Sequence, residues 1–204
     1  MINKPAGLTA ATGMDALTHA IESYITAGAF RLSDTLSLEA IKLIGESLET
    51  AVKDGKNIES RSKMAWASYT AGLSFSNAGL GIFHSMAHQL GSEYNLPHGV
   101  ANAVLLPHVE EFNMDACGEK FRDIAKALGT CTKDMTTEEA NKAAIQAIKD
   151  LSAKVGIPKG LRELGVKKED FGKLADQALA DACTGGNPKK VSKEDIIAIY
   201  MKAM

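Results

Sequence analysis

Four of the five histidines of this chain lie in two short segments that could bind a metal ion. His84, His88 and His98 lie within one stretch of the sequence, and His19 follows Asp15 by four positions in the other. Imidazole is the commonest side-chain metal ligand in proteins, and a carboxylate often accompanies it. Nitrogen and oxygen ligands without thiolate suit Zn²⁺, Fe²⁺ or Mn²⁺. The two segments therefore predict a site for a divalent metal ion.

The spacing of these residues explains how they could reach a single ion. Residues four apart on an α-helix lie on one face, with Cβ atoms about 5–6 Å apart. Asp15 and His19 have this spacing, as do His84 and His88, and His98 follows a predicted turn that can bring it back to the same point. These five candidates for about four coordination positions leave one residue over. The spacing does not say which one is free.

The other reactive side chains have plainer interpretations. His108 stands alone and is predicted to be a hydrogen-bonded core residue, because buried polar groups are usually satisfied. Cys183 has no base beside it in the sequence and is predicted to be structural, while Glu22 is interpreted as a supporting or a surface residue. The motifs of zinc peptidases, serine hydrolases and P-loop proteins are missing. Metal-assisted hydrolysis stays open, although no acidic base is placed beside the predicted site.

Composition and charge argue against several classes of protein. The chain has 204 residues, 45% of them hydrophobic, which is enough to bury the core of one domain spanning residues 1–204. A net charge of −2 argues against a nucleic-acid partner, and no apolar run approaches the roughly 18 residues of a membrane span. No signal peptide is visible, and three widely spaced cysteines indicate a reducing compartment. We therefore expect a cytoplasmic protein.

The elements that must position the histidines are predicted to be helices. Aromatic residues make up only 5% of the chain, and the alternation of apolar and polar residues that is typical of strands is nearly absent. The predicted fold class is all-α, a bundle of about eight helices. The predicted helical segments cover residues 12–28, 33–54, 57–75, 82–93, 98 onward, 117–128, 137–155, 169–182 and 192–203.

Helix boundaries are predicted from capping residues and from proline. Ser, Thr and Asn side chains accept hydrogen bonds from the free N–H groups of a first helical turn. Proline within a helix removes such a donor, so Pro107 is predicted to bend or interrupt the helix that begins near His98. The residues predicted to start helices in this way are Thr12, Ser33, Asn57, Thr137 and Ser192.

Three segments of the sequence resemble the iron-containing alcohol dehydrogenase family. They read TAATGMDALTHAIESY, GIFHSMAHQLGSEYNLPHGVANAVLLPHV and DACTGGNPKK. The resemblance runs from about Pro5 to the end of the chain, and the two histidine-containing segments are long and specific. It implies the helical C-terminal domain of that family's fold.

The resemblance also implies a role for each candidate site residue. The metal ligands would be Asp15, His19, His84 and His98, and the ion would be Fe²⁺, with Zn²⁺ as the other candidate. His88 would be the free histidine, close to the nicotinamide of NAD or NADP, where it could relay a proton or position the cofactor. Cys183 would line the substrate cleft.

The activity implied by the resemblance is metal-assisted hydride transfer between a small primary alcohol or diol and its aldehyde. Members of the family begin with an α/β dinucleotide-binding domain, which is absent from this chain. We therefore expect the metal-binding catalytic half of such an enzyme, inactive when isolated. The alternative is a metal-stabilised helical module that needs a separate dinucleotide-binding half, and either form could associate as a homo-oligomer.

Overall fold

The computed structural model describes residues 2–204, and over this range the chain is all-α. The described residues form nine α-helices and no strand, which confirms the predicted fold class. Short 3₁₀ turns lie between several of the helices. The helices are α1 (Ala6–Ile25), α2 (Arg31–Lys53), α3 (Ile58–Ala78), α4 (Ile82–Tyr94), α5 (His98–Asn113), α6 (Lys120–Ala127), α7 (Thr137–Lys154), α8 (Phe171–Ala180) and α9 (Lys193–Lys202).

Helix α1 is the central element of the bundle, because α2, α3 and α5 all pack against it. Its apolar side chains Met14, Leu17 and Ile21 are fully buried. Burial of each such side chain contributes about 1.5–3 kcal/mol to folding. Helix α4 packs in turn against α5 and α8. The two histidine-bearing segments of the sequence therefore lie on rigid, largely buried helices.

Two of the predicted helix starts are confirmed, and three are wrong. Asn57 and Ser192 cap α3 and α9 by accepting hydrogen bonds from backbone N–H groups. Thr12 lies inside α1, where its hydroxyl donates to the carbonyl of Leu8 at 2.8 Å. The N-cap of that helix is Pro5, whose φ of −58° already suits a helix start.

The other two displaced caps differ by a few positions. Ser33 lies within the first turn of α2, and its hydroxyl accepts from the N–H of Phe30, so it caps the helix from inside. The cap of α7 is Thr136, which forms a capping box with Glu139. Helix α5 continues through Pro107 without interruption. Local sequence therefore located the helices, but it placed three of their first turns at the wrong residues.

A close approach between α5 and α1 positions His98. Gly99 follows it directly, and a Cβ atom added at Gly99 would lie 2.5 Å from the carbonyl oxygen of Ala11. Only glycine permits the two backbones to come so near. The first turn of α5 therefore lies against α1, one turn before Asp15.

The turn at residues 182–186 is fixed against the start of α4. The Thr26 hydroxyl and the Ala27 N–H both donate to the carbonyl of Gly186, at 2.7 and 2.8 Å. A Cβ atom on Gly186 would lie 2.0 Å from the carbonyl oxygen of Leu80, so this position needs glycine. These contacts place the segment that carries Cys183 beside the histidines of α4.

None of the helices in residues 2–204 has the length and apolar character that crossing a lipid bilayer requires.

One buried carboxyl group lacks hydrogen-bond partners within residues 2–204. Glu110 on α5 is fully buried, and neither of its carboxyl oxygens has a partner in this range. Burial, with a smaller contribution from the nearby charge of Glu22, raises the pKa of Glu110 well above its ordinary value of 4.5. The folded state therefore favours the neutral acid.

Replacement of this residue, Glu110→Met, should raise the free energy of unfolding at pH 7 by about 1–3 kcal/mol, the usual cost of an unsatisfied buried polar group. Because folding raises the pKa of Glu110, the part of this cost that comes from ionisation is absent in acid and grows as the pH rises above 4.5. The gain should therefore be smaller at pH 4.5, as urea denaturation at the two pH values can measure. The control is Glu111→Met, which removes only an exposed ion pair with Lys202 and should give no such pH-dependent gain. An equal gain from Glu110→Met at both pH values would contradict the explanation.

Candidate metal centre

The first pair of predicted ligands lies on α1, as the four-residue spacing requires. The His19 ring donates from Nδ1 to the backbone carbonyl of Asp15 at 2.9 Å. This hydrogen bond fixes the ring and leaves Nε2 as the nitrogen that can bind an ion. Burial, followed by the neighbouring His84, lowers the pKa of His19 to about 4. The imidazole is therefore neutral at physiological pH, which is the form that binds metals.

His84, on the first turn of α4, is held from behind by Glu22. Its Nδ1 donates to Oε2 of Glu22 at 2.5 Å, and both side chains are almost completely buried. The opposite ring nitrogen, Nε2, is buried and has no hydrogen-bond partner in the described protein. A carboxylate behind a histidine is a common arrangement in metal sites, because it fixes the ring and increases its basicity. The orphaned Nε2 is the observation that fits a metal ion.

Glu22 has a second role at the start of α4. The N-cap residue Gly81 has no side chain to satisfy the free N–H groups of the first turn. Oε1 of Glu22 accepts from the N–H of Phe83 at 2.9 Å and lies 3.4 Å from the N–H of His84. A carboxylate at this end also interacts favourably with the helix dipole. The same side chain therefore stabilises the start of α4 and orients its first histidine.

The predicted ligands converge to different degrees. Asp15, His19 and His84 each offer an atom, and these atoms lie within 4.8 Å of one another. The rings of His19 and His84 are 4.3 Å apart between centroids. His98 lies at the margin, with Nε2 3.6 Å from Oδ1 of Asp15. One carboxylate and three imidazoles in this arrangement fit a divalent cation such as Fe²⁺ or Zn²⁺.

Asn102, which the sequence pattern does not single out, joins Asp15 to His98. Its side-chain amide donates to Oδ1 of Asp15 and to Nε2 of His98, the latter at 3.1 Å. Asn102 is fully buried one helical turn after His98. Its four-residue spacing from His98 was the available signal, although an asparagine at that spacing is common without any such role.

His88, the remaining histidine of the two predicted segments, is hydrogen-bonded to a residue outside the first ligand group. Nδ1 of His88 is hydrogen-bonded to Oδ2 of Asp181 at 2.9 Å, and its side chain is 42% exposed. The ring stacks beside that of His98, with centroids 5.7 Å apart. Cys183 lies with His88 and Asp181 in a second group of potential ligand atoms. His88 is therefore adjacent to the first group of ligands but is oriented by Asp181.

His108 lies apart from the histidine cluster. It is only partly buried on α5, so its predicted place in the core was wrong. Burial lowers its pKa, and the neighbouring charges are Lys149, Glu111 and Lys202 rather than those of the cluster.

Two curated relatives show similarity over the whole chain. Lactaldehyde reductase of Escherichia coli (strain K12) is 52% identical over 203 residues, which are 100% of this chain and 53% of that protein. NAD-dependent methanol dehydrogenase of Bacillus methanolicus is 47% identical over 204 residues, covering 100% of this chain and 54% of that protein. The chain thus spans about half the length of these relatives.

Structural comparison and a family model agree with these similarities. The crystal structure of 1,3-propanediol oxidoreductase superposes with a TM-score of 0.99 at 51% identity, covering all of this chain and 53% of that one. Residues 9–204 match the model described as "Fe-containing alcohol dehydrogenase family, C-terminal". The histidine segments, their geometry and these matches lead to one conclusion: the chain belongs to the iron-containing alcohol dehydrogenase family.

Proposed function

We propose that Asp15, His19, His84 and His98 bind Fe²⁺, with Zn²⁺ as the other candidate, in an enzyme that interconverts a small primary alcohol or diol and its aldehyde. The observation that carries this proposal is the buried, unpartnered Nε2 of His84, in a side chain that is grouped with Asp15 and His19 by ligand atoms within 4.8 Å of one another. A divalent cation held there would supply Lewis-acid chemistry, lowering the pKa of a hydroxyl and polarising a carbonyl. The names of the relatives support the substrate class.

The protein side chains divide the remaining tasks. Glu22 holds His84, and Asn102 holds Asp15 and His98 close together. Nε2 of His98 has one lone pair, so the Asn102 amide must release it before that nitrogen can bind an ion. His88 donates its Nδ1 proton to Asp181, which leaves Nε2 able to accept a proton from a hydroxyl group. Since the ring is partly exposed, His88 could pass that proton to water. We assign His88 this relay beside the nicotinamide and Cys183 a place in the wall of the substrate cleft.

The cofactor of the proposed reaction is NAD or NADP. Dinucleotide sites of the common type combine parallel strands with a glycine-rich turn, and residues 2–204 contain no strand. We therefore propose that polypeptide outside these residues supplies the nicotinamide site. The absence of strands from residues 2–204 also favours the alternative, a metal-stabilised helical module that acts only with a separate dinucleotide-binding half.

Three free thiols suit a reducing compartment such as the cytoplasm.

The metal proposal predicts that the chain binds Fe²⁺ stoichiometrically under anaerobic conditions. His98→Ala and His84→Ala should each weaken binding by more than the roughly 10–100-fold lost when a residue behind a ligand is removed. His88→Ala and His108→Ala should retain the ion, which titration followed by elemental analysis can measure. Circular dichroism should show intact helices in each variant. Loss of Fe²⁺ from His88→Ala, with retention in His84→Ala, would reverse the assignment of these two residues.

The carboxylate behind His84 should tune the affinity for the ion. Glu22→Gln keeps an oxygen that can accept the helix N–H bonds but removes the charge that increases the basicity of the ring, so Fe²⁺ affinity should fall about 10–100-fold. Glu111→Gln, on the outside of α5, is the matched control and should leave the affinity unchanged. An unchanged affinity in Glu22→Gln would show that the charge of this side chain does not support the centre.

The cofactor proposal predicts that the chain alone does not bind NADH. The measurement is a fluorescence titration of NADH, with the NAD-dependent methanol dehydrogenase of Bacillus methanolicus as the positive control. Alcohol oxidation that appears only after a separate dinucleotide-binding half is added would support the alternative function. Saturable binding of NADH at micromolar concentrations by the chain alone would contradict both forms of the proposal.

A further inference from the structure

A second group of potential metal ligands lies beside the first centre. His88 contributes from α4, and Asp181 and Cys183 contribute from the segment that follows α8. One ligand atom from each of the three side chains lies within 4.8 Å of the others. The group differs in chemistry from the first centre because it contains a thiol.

We propose that His88, Asp181 and Cys183 form a second metal site that binds a borderline or soft divalent cation, with Zn²⁺ and Cd²⁺ as representatives. This site is distinct from the proposed Fe²⁺ centre, since it uses none of the four residues assigned there. Thiolate ligands select softer cations, whereas carboxylate and imidazole alone do not. Zinc accepts nitrogen, oxygen and sulfur ligands, and its sites with three protein ligands keep a fourth position open.

The distances suit a small cation without a large rearrangement. Nδ1 of His88 and Oδ2 of Asp181 are 2.9 Å apart. Two such ligands at about 2.0–2.2 Å from one zinc ion would be separated by about this distance when the angle between them is close to a right angle. The exposed fraction of His88, 42%, gives an ion access from solvent. Solvent would complete the coordination.

Hydrogen bonds hold the segment of Asp181 and Cys183 against α4. Oδ1 of Asp181 accepts from the backbone N–H of Cys183 at 2.9 Å, which leaves Oδ2 directed at His88. The Thr184 hydroxyl lies 2.8 Å from that of Ser85 and 2.6 Å from the carbonyl of Ala178. The three ligands are therefore positioned before any ion binds, which reduces the entropy lost on binding.

Binding at this site exchanges the Cys183 thiol proton for the ion. Burial, followed by the charge of Asp181, raises the pKa of Cys183 to about 11, so the free side chain is a thiol at neutral pH. Coordination deprotonates such a thiol, and the proton of the neutral His88 ring must move from Nδ1 to Nε2 so that the nitrogen facing Asp181 can bind the cation. The thiol proton passes to solvent, the sulfur and Nδ1 lone pairs bind the cation, and no oxidation or reduction takes place.

Cd²⁺ is the probe that tests this site, because a cadmium–thiolate bond gives an ultraviolet charge-transfer band that nitrogen and oxygen ligands do not. Titration of the reduced chain should produce this band together with a second bound equivalent of metal. Cys183→Ser should abolish the band and weaken binding of that equivalent by roughly tenfold or more, the scale seen even when a residue behind a ligand is lost. Asp181→Asn should weaken it similarly.

Two further variants distinguish this site from cadmium binding at another thiol and from the proposed Fe²⁺ centre. Cys131→Ser removes an exposed thiol that belongs to neither ligand group, and it should retain the full band. His98→Ala should lose Fe²⁺ but keep the cadmium–thiolate band, so failure of the first centre would not remove the second. Fe²⁺ binding by Cys183→Ser should match that of the unmodified chain. A missing band in the unmodified chain, or a band that persists in Cys183→Ser, would overturn the proposal.

Discussion

The contact between Glu22 and His84 is the interaction on which the architecture of the centre depends. It joins α1 to α4 inside the protein, where a carboxylate without partners would be costly. Glu22 is fully used there: one oxygen accepts from the His84 ring and the other from the first turn of α4. The helix that carries His84 and His88 therefore begins where the first of them is fixed, so the direction of α4 and the orientation of His84 are set together.

Close backbone approaches at two glycines also position the ligand groups. Gly99 lets α5 approach α1, and Gly186 lets the segment after α8 reach the loop before α4. Neither position tolerates a side chain, because a Cβ atom would overlap a carbonyl oxygen. Buried apolar residues of α1 then hold these approaches rigid. A ligand group assembled from three separate helices therefore relies on small residues as much as on the ligands themselves.

The parts of the site that sequence could predict are those that depend on local spacing. Asp15 and His19 are one helical turn apart, so their convergence follows from helix geometry. Glu22 and His84 are separated by 62 positions, and Asn102 and Asp15 by 87, and no local pattern links such pairs. Thr12 shows the same limit for the fold, because the start of α1 is set earlier, by Pro5. The burial of Glu110 was equally unpredictable, because its position on α5 fits the buried apolar face of the helix but its acidic side chain does not.

The hydrogen bond between Thr26 and Gly186 has a consequence for the order of folding. It joins residues 160 positions apart, whereas α1, α2 and α3 are consecutive and pack on one another. Contacts between distant residues carry a larger loop-closure entropy, so they form late unless other structure has already brought the ends together. The segment with Asp181 and Cys183 is therefore expected to dock last. Asp15, His19 and His84 would already be assembled when this segment docks. The two ligand groups would therefore form one after the other during folding.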